Sequence, residues 1–257
     1  MKYTGGKYFI GKQISDIMKE KVPVDQVDGY LEPFCGALSV LIHMNTTYPV
    51  EASDYHPDLI ELWKEIQSDK FISPEYVDEN FYHECKNLQS PNAMKAFAGF
   101  GLSFGGKFFA GYADKHKGTK KENFLAEASN SVKKLAPKIQ NVDFKCCEYH
   151  TLVPKNKLVY CDPPYQNTKY PIKYRTDTKK YDIFDNEKFW DIMRKWSQDN
   201  FVFISETSAP DDFISVWEKK CHRSASQSSK TRYKSQDTDK FKTEKLYVHK
   251  SVYDRFT

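Results

Sequence analysis

No apolar run in the 257 residues approaches the roughly 18 that a membrane-spanning helix needs. The opening residues, Met1-Lys2-Tyr3-Thr4-Gly5-Gly6, lack the apolar centre of a signal peptide, so an intracellular location is expected rather than secretion or a membrane. The six cysteines (Cys35, Cys85, Cys146, Cys147, Cys161 and Cys221) form no Cys-x-x-Cys pair and no Cys/His zinc spacing. Free thiols in a reducing compartment, and no bound metal, follow as expectations. His56, His83 and His150 show no ligand spacing either and read as structural or surface residues. No repeat of fixed period and no long linker divides the chain. Aromatic residues reach 15%, which argues against disorder.

Net charge is only +4, but it is unevenly spread. Lys107 to Lys145 holds nine lysines against four acidic residues, and Lys219 to Lys250 holds ten Lys/Arg against three. Basic charge gathered in two stretches fits a polyanion partner; solvated helix faces and loops are the plain alternative.

The hydrophobic pattern alternates between strand and helix. Residues 8–20 read as a first helix with Ile10, Ile14, Ile17 and Met18 inward. Val27–Leu31 and Val50–Ser53 read as strands, Ala37–Met44 as a short helix, and the residues after Pro57 as a helix carrying Leu59, Ile60, Trp63 and Ile66. That order predicts a parallel α/β sheet. The stretch 68–140 breaks the alternation, with helical segments at Pro74–Asn87, Ala93–Phe100 and Glu122–Leu135. At its centre, Gly99 to Tyr112 interleaves five glycines with aromatics. It reads either as backbone and rings offered to a nucleic acid or as a tight turn over a small aromatic core. Strands resume at Asn141–Cys146 and Lys157–Cys161. A helix capped by Asp185 follows at Asn186–Ser197, then strands at Phe201–Ser205 and Leu246–His249, with a Ser/Lys/Arg-rich loop at Ser224–Gln236.

Chemistry concentrates at Leu158-Val159-Tyr160-Cys161-Asp162-Pro163-Pro164-Tyr165, an apolar strand running into an acid and two prolines. Ligands of open α/β sheets sit outside the carboxyl ends of strands. Two prolines stiffen the turn and remove backbone donors, which leaves the Pro163 carbonyl able to accept. An exocyclic amine on adenine is a poor nucleophile, because its lone pair is delocalised. The Asp162 carboxylate and a backbone carbonyl could hold its two N–H groups while Tyr165 stacks on the ring. A base buried in a duplex must be extruded to reach such a pocket. An ordinary strand-to-loop turn with a capping acid is the bland alternative.

The chain resembles the Dam-like (D12) class of S-adenosylmethionine-dependent N6-adenine DNA methyltransferases, in its virus- and phage-type members. Tyr3-Thr4-Gly5-Gly6-Lys7 matches the family's K-W-x-G-G-K element, and Tyr30-Leu31-Glu32-Pro33-Phe34-Cys35-Gly36 its E-P-F-x-G-x-G motif. Ser53-Asp54 matches its strand-end acid, and Asp162–Tyr165 its catalytic motif. Ser103–Lys107 and Ser205–Pro210 resemble further family segments. The glycine-lysine element is not a phosphate-binding P-loop, whose spacing is absent. The resemblance implies catalysis by Asp162, Pro163, Pro164 and Tyr165. It implies cofactor binding by Tyr3, Gly6, Lys7, Glu32, Pro33, Phe34, Gly36, Asp54 and Asp162, with Asp54 on the ribose diol. Leu38 stands where the family has its second motif glycine, so an altered backbone path is expected there.

The expected architecture is a Rossmann-like methyltransferase core from residues 1–67 and 141–257, with a mainly helical target-recognition insertion at 68–140. Expected contacts to double-stranded DNA are Lys107, Lys115, Lys117, Lys120, Lys121, Lys169, Lys173, Arg175, Arg223, Lys230, Arg232 and Lys234. The resemblance further implies a cytoplasmic or viral-factory setting, a cognate restriction endonuclease as a possible partner, and a monomer or homodimer. An RNA adenine or cytosine-N4 substrate, and a non-catalytic DNA-binding scaffold, stay open as alternatives.

Overall fold

The computed structural model describes residues 1–44, 47–113, 123–164, 169–171, 181–222 and 241–256; for 169–171, 181–183, 222 and 241 the description is of the backbone. Nine strands can be numbered in chain order among these residues. They are β1 (Gly29–Glu32), β2 (Val50–Asp54), β3 (Val142–Cys146), β4 (Lys157–Cys161), β5 (Lys169–Pro171), β6 (Tyr181–Ile183), β7 (Phe201–Glu206), β8 (Phe213–His222) and β9 (Phe241–His249). The helices are α1 (Gly11–Lys21), α2 (Pro57–Gln67), α3 (Glu79–Asn87), α4 (Ala93–Ala96), α5 (Phe124–Leu135), α6 (Asn186–Asp199) and α7 (Lys250–Tyr253).

Seven strands form one sheet in the order β3-β2-β1-β4-β7-β9-β8. The β3, β2, β1, β4 and β7 strands run parallel, while β9 is antiparallel to both β7 and β8. This is the mixed α/β, Rossmann-like arrangement expected from the alternating pattern. The central strands β1 and β7 are buried at every position, as a sheet covered on both faces requires. One face packs Ile10, just before α1, Ile14 and Met18 of α1 and Trp63 of α2 against Tyr30, Tyr160 and Phe203. The other packs Phe189, Met193 and Trp196 of α6 against Val159, Cys161 and Ile204. Each such side chain contributes about 1.5–3 kcal/mol by leaving water.

Local signals explain most of the helix ends. Asp185 accepts from the Lys188 amide, Asp78 from Phe81 and Asn92 from Lys95, each satisfying an otherwise orphan donor at a helix start. Pro57 opens α2, where its missing N–H costs nothing.

Three expectations differ from the structure. The helix expected from Pro74 begins only at Glu79, where Asp78 caps it. Ala37–Met44 forms only a 3₁₀ turn at Leu41–His43, because Leu38 takes a left-handed φ of 60° that a continuing helix excludes. The last strand is not a short run at 246–249 but spans nine residues, and it pairs with a ten-residue β8 that alternation did not reveal. The β8–β9 pairs Lys219↔Glu244 through His222↔Phe241 lie beyond Glu206↔Lys245, the last β7–β9 pair. The hairpin therefore overshoots β7 on the side where β4 ends.

Helices α3, α4 and α5 lie in the excursion between β2 and β3. Their residues Ala93, Ala96, Ala128, Val132 and Leu135 join the main core. The Gly-rich stretch folds as a π-helical turn at Phe97–Gly101 and a 3₁₀ turn at Phe104–Gly106. Ser103 Oγ bonds to the Gly99 carbonyl at 2.6 Å and to Tyr82 Oη at 2.7 Å. Phe108 packs at a tilt on Phe100 at 4.8 Å and edge to face on Phe109 at 4.7 Å between centroids. Most of these aromatics are thus spent on a small core, while Phe104 remains 62% exposed. Among the described residues no helix is long and apolar enough to cross a membrane.

Candidate active site

Strand order reverses between β1 and β4, and parallel strands open a crevice at the carboxyl side of such a switch. The in-register pair Leu31↔Val159 places Glu32 and the turn after it beside Asp162 and its prolines. Two sequence-predicted motifs 130 residues apart therefore face one crevice.

On the β1 side, the Tyr30 hydroxyl donates to Glu32 Oε1 at 2.6 Å. Glu32 is 2% exposed, and burial pushes its carboxyl up to about 8, so it stays protonated at neutral pH. The peptide of Gly36 is held from both ends. Its N–H donates to Asp54 Oδ2 at 3.1 Å, and its carbonyl accepts from Trp63 Nε1 at 3.0 Å. Gly36 has a φ of +42°, and a Cβ there would come within 3.0 Å of the Tyr3 ring. Glycine is needed for both reasons. Asp54 Oδ1 also accepts from the His56 amide at 3.0 Å. Burial raises its carboxyl to about 6 despite these bonds. His56 itself sits between Phe100 and Phe108, and burial lowers it to about 3, so it is neutral.

Leu38 is fully buried and keeps the left-handed geometry that glycine usually supplies. The substitution therefore leaves a glycine-type backbone conformation in place. Phe34 packs on Tyr149 at 4.9 Å and on Phe189 at 5.9 Å, and Pro33 is buried.

On the β4 side, Lys7 Nζ lies 2.6 Å from Asp162 Oδ1, with the Lys7 side chain 4% and the Asp162 side chain 19% exposed. Burial raises the Asp162 carboxyl and Lys7 pulls it back down. The Lys7 ammonium rests on the carboxylate, with the Gly5 carbonyl at 3.3 Å as a second acceptor. The Tyr3–Gly6 turn that presents it is closed by the Gly6 amide on the Tyr3 carbonyl at 3.1 Å. Pro163 is buried and Pro164 half-buried.

Sequence reasoning missed several contributors. Tyr30 and Trp63 read only as apolar positions, yet each donates a hydrogen bond into the site. Lys242 and Glu244 of β9 pair at 3.1 Å and both act electrostatically on Asp162. They lie in the part of β9 before Leu246, where the sequence carries no apolar run. Lys107 is exposed, on the Gly-rich turn. Tyr165, Lys115, Lys117, Lys120, Lys121, Lys173, Arg175, Arg223, Lys230, Arg232 and Lys234 lie outside the described residues, as does the side chain of Lys169.

The donor set suits a nucleoside carrying an amino-acid end. Asp54 closes β2 with its carboxylate on the Gly36 and His56 amides, Tyr3 offers a ring over the bare Gly36 peptide, and carboxyl groups stand at the ends of β1 and β4. Among the described residues no cluster of three metal-ligating side chains occurs.

The chain is similar to the Type II methyltransferase M.MjaIII of Methanocaldococcus jannaschii, with 24% identity over 219 residues, covering 73% of this chain and 75% of that protein. The family described as D12 class N6 adenine-specific DNA methyltransferase matches residues 3–100 and 108–252, which is nearly the whole chain and includes all the residues of the crevice. Methyltransferases of this family use S-adenosylmethionine. With its switch-point crevice, its Gly36 turn and its Asp162 corner, this chain belongs to the D12 class of N6 adenine-specific DNA methyltransferases.

Proposed function

We propose that the protein methylates N6 of an adenine within a specific sequence of double-stranded DNA, after that adenine has been swung out of the helix. The observation that carries this reading is the Lys7–Asp162 pair at 2.6 Å, set at the carboxyl end of β4 beside the Gly36 turn.

Bound S-adenosylmethionine would supply an electrophilic methyl group. Tyr3, Gly6, Lys7, Glu32, Pro33, Phe34, Gly36 and Asp54 are the residues assigned to hold it, with Asp54 on the ribose hydroxyls. Burial raises the Asp162 carboxyl, and Lys7 works against that rise and so favours the ionised form. With Oδ1 engaged by Lys7, Oδ2 is assigned to one N–H of the target amine and the Pro163 carbonyl to the other. Two acceptors on one nitrogen localise its lone pair and aim it, which is positioning rather than proton chemistry. Pro164 stiffens the turn and Tyr165 is assigned to the face of the base. As the N–CH3 bond forms, the donor's S–CH3 bond would break to leave a neutral thioether, and the proton shed by the amine is assigned to Asp162.

The core of 1–67 and 141–257 would carry this chemistry and 68–140 the target recognition. Lys107, Lys115, Lys117, Lys120, Lys121, Lys169, Lys173, Arg175, Arg223, Lys230, Arg232 and Lys234 would contact phosphates, so binding should weaken steeply with salt. Asp162→Ala tests the reading. It should abolish methyl transfer to duplex DNA while DNA binding persists, and unchanged methylation would refute the assigned role. Labelled cofactor offered with duplex DNA, RNA and cytosine-only DNA should mark the first alone; label only in RNA or only at cytosine would overturn the substrate.

A further inference from the structure

Lys7 and Ile10 are each 4% exposed, but the two residues between them are thrust into solvent: Tyr8 is 77% and Phe9 90% exposed. They are the central pair of a turn in which the Lys7 carbonyl accepts from the amides of Ile10 at 3.0 Å and Gly11 at 2.6 Å. Such positions usually go to Gly, Asn, Asp, Ser or Pro, not to two large rings. The rings brace each other edge to face at 5.2 Å.

Both ends of the turn are anchored. Lys7 reaches Asp162, and Ile10 enters the main core. Gly11 lies so close to the chain at Ser39 that a Cβ would stand 2.0 Å from the Ser39 carbonyl oxygen. The tip is therefore a stiff aromatic projection beside the catalytic carboxylate. It sits at the amino end of α1, on the edge of the sheet where β4 ends. The neighbouring lysines are held in ion pairs, Lys2 with Glu127 at 2.9 Å, Lys7 with Asp162 and Lys12 with Asp16 at 2.6 Å, so what the tip itself offers is aromatic surface.

We propose that Tyr8 and Phe9 form a stacking wedge that meets the base stack of duplex DNA next to the extruded adenine. The inference rests on the function proposed above and adds the element that supports the extruded state. Aromatic faces stack on any base, and apolar side chains placed against a base step stabilise a locally opened duplex. The wedge acts on the cost of extrusion, not on the methyl transfer itself.

The test uses the full chain and a duplex containing its own methylated sequence, mapped by sequencing. The target adenine is placed once opposite thymine and once opposite an abasic position. The Tyr8→Ser/Phe9→Ser double variant should lose about 10- to 100-fold in methylation rate on the paired substrate. It should stay within about 3-fold of the parent on the abasic one, where extrusion costs little. Fluorescence of 2-aminopurine at the target position should fall with the paired duplex, and the Tyr8→Phe/Phe9→Tyr variant should behave like the parent. Equal rates on the paired substrate, or equal losses on both, would overturn the wedge. A parent protein that methylates neither duplex would overturn the function itself, and the wedge with it.

Discussion

The ammonium of Lys7 lies 2.6 Å from Oδ1 of Asp162, joining residues 155 positions apart in the chain. Burial alone would drive this carboxyl toward its protonated, non-accepting form, and Lys7 opposes that. Lys7→Met should therefore cut methyl transfer by about 100-fold or more at neutral pH, since a buried charge loses its partner. The same change should move the acidic limb of the rate profile to higher pH, so the loss is greater at pH 6 than at pH 8. Rates measured with labelled cofactor across that interval check both statements; a parallel loss at every pH would contradict them.

Asp54 offers a second pH signature. Its carboxyl is raised to about 6, and only the ionised form accepts fully from the Gly36 and His56 amides. Cofactor affinity should decline as pH falls through about 6. Asp54→Asn should weaken cofactor binding by about 10-fold, the equivalent of about 1.4 kcal/mol. Affinity for DNA alone should stay unchanged, and calorimetric titration separates the two.

Glu32 makes the fold itself pH-dependent. Its carboxyl sits near 8 in the folded protein against 4.5 in an unfolded chain. Folding thus retains a proton that the unfolded chain gives up. Stability should fall as pH rises from about 4.5 to about 8 and level off beyond, the reverse of an ion-paired carboxylate. Glu32→Gln should flatten that slope, as read by thermal unfolding between pH 5 and 9.

Leu38 combines complete burial with a φ of 60°. Truncation to alanine removes a core side chain, at about 2–5 kcal/mol, and keeps the strain. Truncation to glycine removes the same side chain and relieves about 1–2 kcal/mol of strain. Leu38→Gly should therefore be less destabilised than Leu38→Ala, inverting the order usual for these two residues. Denaturant midpoints of the two variants decide it.

Regular periodicity and strong end signals made much of the fold legible. The α6 helix follows from Asp185 and the spacing of Phe189, Met193 and Trp196, and β4 from its apolar run into Asp162. The β8 strand escaped because Glu218, Lys219 and Lys220 interrupt its alternation at the sheet edge, where burial imposes no pattern. The apolar run at Ala37–Met44 read as a helix, because composition does not disclose that Leu38 adopts positive φ. Motif order pointed to Asp54, Gly36 and Asp162 as one site. The partners that shape them did not show, since Lys7 to Asp162 and Trp63 to Gly36 are tertiary contacts between residues whose types admit plainer roles.

The indole of Trp63 gives α2 a reach beyond scaffolding. Its N–H fixes the Gly36 carbonyl, so a small tilt of that helix is transmitted directly to the peptide beneath Tyr3. Warming that loosens α2 would then be felt first as poorer capture of the methyl donor, while the central strands still hold. The temperature at which this enzyme stops working would lie below the temperature at which it melts.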